Sequence, residues 1–99
     1  MIMISITSYP PESAKDVGKR FLEFPSLPDY IAMKGPYINS VIGEGIIGIT
    51  IYEFDDSKYP EASKILNERV TSLFGVPGFT YTLSHWLEAY DALKLVGLA

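Results

Sequence analysis

His85 is the single histidine of this 99-residue chain, and so the first residue that could move a proton near neutral pH. It follows the alternating run Phe79, Tyr81, Leu83 and precedes Trp86. A lone histidine near a strand end is usually a hydrogen-bonded structural residue, and nothing beside it specifies haem ligation. One histidine without any cysteine is a poor start for a metal centre, which needs several convergent ligands, so no metal site and no cofactor are expected. Asp55-Asp56 with Glu53 could hold a cation, but acids placed just before a helix usually cap it. Gly43-Glu44-Gly45 leads into a strand rather than a helix, which makes it a hairpin turn and not a phosphate cradle. There is no Gly-x-Ser-x-Gly elbow, and cysteine nucleophiles are excluded by composition. Catalytic residues are therefore unknown from the sequence.

What remains is a set of hydroxyl and aromatic side chains at alternate positions of three extended runs. Ser5, Thr7 and Tyr9 share one face of the first run, with Met3. Thr50 and Tyr52 share one face of a later run with Gly48 and Phe54, and Thr82, Ser84 and Trp86 share one face of the last with Thr80. Small hydroxyls offer hydrogen bonds while tyrosine and tryptophan offer stacking area, the combination suited to an apolar or aromatic ligand. These eight residues, Ser5, Thr7, Tyr9, Thr50, Tyr52, Thr82, Ser84 and Trp86, are the candidate ligand-binding set.

The elements that must position them follow from a repeated switch of hydrophobic period. A strand is expected over residues 1–8, stopped by Pro10-Pro11, and a helix from Glu12 carries the stripe Ala14, Val17, Phe21, Phe24. Gly18 falls inside that helix, either for a close approach to the sheet or as a tolerated cost of about 1 kcal/mol. Extended structure resumes over 30–41, broken by Gly35-Pro36, and a central strand follows over 46–54. Lys34 and Tyr37 flank the break as edge-protecting residues, or could aim into a cavity mouth. A second helix carries Ala62, Ile65, Leu66, Val70 and Leu73. A last strand covers about 79–87, and a short helix over 91–96 ends at Gly97. Arg20 and Arg69 lie on the helices and are expected to make ordinary surface ion pairs.

This β-α-β-β-α-β order predicts one α+β domain over 1–99, ferredoxin-like, with a four-stranded antiparallel sheet, two helices on one face and a short C-terminal helix. Alternation assigns the isoleucines Ile2, Ile4, Ile6, Ile47, Ile49 and Ile51 to the helix-covered face, together with Phe79, Tyr81 and Leu83. The hydroxyl and aromatic face is then left open and needs a cover. A second copy of the chain is the expected cover, through an interface of about 800 Å² per subunit.

Composition narrows the partners. Twelve acids against eight bases leave a net charge of −4, which disfavours nucleic acid and anionic membrane surfaces. The apolar run from Ile46 to Tyr52 is too short to span a bilayer, and a soluble, cytoplasmic protein is expected.

The turn and packing motifs Lys34-Gly35-Pro36-Tyr37, Gly43-Glu44-Gly45, Ile51-Tyr52-Glu53-Phe54, Pro77-Gly78-Phe79 and Leu95-Val96-Gly97-Leu98 resemble the dimeric α+β barrel superfamily, in its uncharacterised microbial branch. That resemblance implies two ferredoxin-like subunits sharing one barrel. Members of the superfamily include cofactor-independent monooxygenases, lactone isomerases, haem-handling and stress-response proteins, and no catalytic pattern of theirs transfers onto positions here. The expected function is small-molecule binding by a homodimer. The alternatives are a monooxygenase- or isomerase-like enzyme, or an interaction module whose barrel is filled by side chains.

Overall fold

Proline, aspartate and glycine punctuation sets the boundaries of the elements. The computed structural model describes residues 1–98. Within them run strands β1 (Ile2–Tyr9), β2 (Ala32–Val41), β3 (Gly45–Glu53) and β4 (Thr80–Trp86), and helices α1 (Ala14–Leu22), α2 (Tyr59–Thr71) and α3 (Ala89–Leu95). Single 3-10 turns at Pro11–Ser13 and Asp56–Lys58 lead into α1 and α2. Before α2 the Asp55 carboxylate accepts from the Ser57 backbone N–H at 2.9 Å and from the Ser57 hydroxyl at 2.6 Å, so Asp55 is a cap. These two bonds hold its carboxyl below the usual aspartate range.

The sheet order is β2-β3-β1-β4, every neighbouring pair antiparallel, an α+β arrangement compatible with a ferredoxin-like fold. The β2–β3 register shifts between Lys34 and Tyr37, which places a bulge at Gly35-Pro36 on an edge strand. Lys34 and Tyr37 are both exposed there, as edge protection requires. Gly45 opens β3 at φ +92°, and a Cβ on it would stand 2.7 Å from the Tyr9 carbonyl oxygen. Only glycine satisfies both conditions.

The core lies between the sheet and α2. Met3, Ile31, Tyr52, Phe54, Ala62 and Leu66 form one buried cluster, with Leu83 packed against its margin. This overturns the expected assignment of faces on β1 and β3. Met3 pairs with Tyr52 and His85, Ser5 with Thr50 and Leu83, and Thr7 with Gly48 and Tyr81, so these residues share the helix-covered face. The opposite, open face holds Ile2, Ile4, Ile6, Ile47, Ile49 and Ile51, together with Thr82, Ser84 and Trp86. Only on β4 does the expected division hold. Which face receives the helices is decided by strand order and the hand of the crossover connection, not by which face is more apolar. The open face is therefore the more hydrophobic of the two: Ile49 is exposed and the other five isoleucines are half-buried.

Beyond β4 every described residue is exposed, those of α3 included, among them Tyr90, Leu93 and Leu95. Among the described residues no helix is long and apolar enough to cross a membrane.

Candidate functional site

Residue size on the helix-covered face falls along the sheet. Under α2 it presents Met3, Tyr52 and Phe54, which fill the space to Ala62 and Leu66. Under α1 it presents Ser5, Thr7, Gly48 and Thr50, which are too small to reach the helix. Polar ties at both ends hold α1 in place. Ahead of it, the buried Ser13 hydroxyl donates to the Pro77 carbonyl at 2.7 Å. Near its C-terminus, Arg20 pairs with Asp16 at 3.1 Å and donates to the Ser72 and Phe74 carbonyls at 3.1 and 2.9 Å. No residue of α1 is buried. A small-residue floor beneath a helix hung from its ends leaves a cavity, with a volume of about 290 Å³.

The floor of this cavity is Ser5, Thr7, Tyr9, Gly48, Thr50 and Tyr52, and its roof is Ala14, Val17, Gly18 and Phe21. Phe24, Met33 and Arg69 close one end. The Thr7 hydroxyl donates weakly to the Gly48 carbonyl at 3.4 Å. Ser5 and Thr50 are buried residues, and their hydroxyls face the same cavity. Tyr9 is also buried, and desolvation pushes its phenol above the ordinary tyrosine range. It therefore keeps its proton at neutral pH and can donate a hydrogen bond. The arrangement can recognise a flat apolar body on one side and one or two polar atoms on the other.

No protein-family model matches the chain, and no curated protein does. A solved structure similar to it is "De novo designed protein Foldit4", at 13% identity with a TM-score of 0.42, over 87% of this chain and 96% of that one. A likeness of that degree carries no argument about activity.

Five of the eight candidate residues, Ser5, Thr7, Tyr9, Thr50 and Tyr52, meet in the one cavity, on the helix side of the sheet rather than the open side. Thr82, Ser84 and Trp86 do not join them: they lie on the opposite face of β4 and are exposed, Trp86 at 48%. His85 shares the helix-covered face with Met3 but is exposed at the edge of the sheet. No group of His, Asp and Glu able to hold a metal ion occurs among the described residues.

Of the two readings open for Gly18, the close approach does not hold, because a Cβ there would meet nothing within 4 Å. Arg69 departs from its expected role and makes no ion pair among the described residues. Its guanidinium carbon lies 4.9 Å from the centre of the Phe24 ring, and its Nη atoms donate to the Pro25 carbonyl at 3.1 Å and the Met33 sulfur at 3.6 Å. Its Nε is buried without a hydrogen-bond partner. Helical spacing supplied a faint signal: Arg69 lies three residues after the buried Leu66 of α2, so its stem starts beside the buried stripe.

Proposed function

We propose that this chain is a small-molecule-binding protein that holds an apolar or aromatic ligand in the cavity beneath α1. It works as a ferredoxin-like homodimer of the dimeric α+β barrel kind, in the cytoplasm. The observation that carries the reading is the cavity itself, with its hydroxyl-bearing floor and its apolar roof. A cavity of this kind gives the chain a seat for a ligand that a pure interaction module does not need. The pairing is supported by the six isoleucines of the open sheet face, which no element of the chain buries fully. An apolar sheet face of this kind is covered in a stable protein, and a second copy presents a matching surface.

Native mass spectrometry of protein purified without added ligand is the test. The expected result is a dimer that carries extra mass, lost in Val17→Trp, whose indole fills the cavity from the exposed side of the roof. A ligand retained by Val17→Trp with wild-type affinity would reject the cavity as its seat. A bare monomer that binds no naphthalene-sized probe would reject the whole reading.

A further inference from the structure

The cavity's electrostatics are one-sided. Of all the side chains that line it, Arg69 alone is charged at neutral pH, and no carboxylate is among them. This is unusual in a chain with an excess of acids, where an arginine readily finds a partner. Among the described residues no carboxylate comes within ion-pair distance of Arg69. Its two hydrogen bonds go to a neutral carbonyl and to a thioether, the weaker acceptor. A guanidinium carries more N–H donors than these two contacts use, and the Nε–H is buried with no acceptor at all. The Nε–H is shut off from solvent, so the Nη–H donors left over are the ones an occupant of the cavity would meet.

We infer that the ligand of this cavity is an anion: a flat apolar or aromatic molecule bearing one carboxylate, with the carboxylate on the Arg69 guanidinium. This rests on the cavity reading above and names its ligand class. The guanidinium fork matches a carboxylate in shape, and its carbon lies 4.9 Å from the centre of the Phe24 ring. Beyond the carboxylate the molecule runs along Phe21 and Val17, and meets the Ser5 and Thr50 hydroxyls on the floor. The outer cleft on the other side of Arg69 is the less suitable seat. It carries Glu23 and Glu68 beside Arg20 and Arg69, so its cations are already balanced by carboxylates, whereas the cavity has none.

Isothermal titration with 2-naphthoate and with its neutral counterpart 2-naphthamide tests this. The wild type is expected to bind naphthoate about tenfold or more tightly than the amide. Arg69→Gln should remove that preference, and Arg69→Lys should restore part of it. Equal binding of the two probes by the wild type would overturn the anion assignment and leave the cavity standing, as would a preference that survives in Arg69→Gln. Binding of neither probe would overturn the cavity reading, and this inference with it. If Arg69→Gln fails to fold, the wild-type preference and the Arg69→Lys result still decide.

Discussion

Gly18→Ala is expected to stabilise the protein, although glycine lies at the centre of a helix facing a sheet. Gly18 occupies the middle of α1, and a Cβ placed on it meets nothing within 4 Å. Steric cost is therefore absent, and the helix propensity difference of about 1 kcal/mol is gained in full. For a domain of this size that corresponds to a rise of about 4–8 °C in Tm. In urea the midpoint should move upward by roughly 0.3–1 M. Both should be read at one fixed protein concentration, since self-association would otherwise shift the transition. A loss of stability would mean that α1 presses on the sheet at this point, and the cavity would then be refuted together with the gain. An unchanged midpoint would refute the placement of Gly18 inside a regular helix.

Leu66→Ala should cost about 2–5 kcal/mol in urea denaturation, because Leu66 is 1% exposed among Met3, Tyr52, Phe54 and Ala62. A loss smaller than about 1 kcal/mol would show that the site is not enclosed. Tyr9 has its folded-state pKa raised by desolvation above the reference 10.0, so the stability it holds below that pH is lost as the pH rises through the folded-state value. Tyr9→Phe should therefore flatten the alkaline limb of a stability–pH curve, and an identical limb in both proteins would contradict the burial of this phenol. Ile49→Asp puts a carboxylate at the centre of the open isoleucine face, where Ile49 is 38% exposed. It should leave the circular dichroism spectrum intact and turn the proposed homodimer into a monomer in sedimentation velocity; a variant as dimeric as the wild type would place the pairing surface elsewhere.

Local chemistry was legible wherever it depended on neighbours in sequence. Pro10-Pro11 ended β1, Asp55 capped the turn into α2, Gly43 and Gly45 made the hairpin, and Gly35-Pro36 marked a bulge on an edge strand. These outcomes follow from φ restrictions, missing N–H groups and side chains that reach only a few residues. Residues of one strand face were also grouped correctly: Ser5, Thr7 and Tyr9 together, and Thr50 with Tyr52. Period-2 geometry guarantees the grouping.

Two things were not legible. Periodicity separates the two faces of a strand but does not say which face meets the helices, and the more apolar face was the wrong choice on β1 and β3. The role of Arg69 was hidden for a similar reason, since its surroundings come from Phe24, Pro25 and Met33, distant in sequence and brought together by α1 and β2.

The amino-acid sequence by itself thus determined the order of elements, their boundaries, the antiparallel α+β plan and the membership of each strand face. Tertiary structure alone decided the side of the sheet on which the helices lie. It also decided that Ser5, Thr7, Tyr9, Thr50 and Tyr52 line one cavity while Thr82, Ser84 and Trp86 do not, and that among the described residues the arginine at its end has no carboxylate partner. Those outcomes depend on contacts between segments far apart in the chain, where packing and crossover geometry act and local propensity has no say.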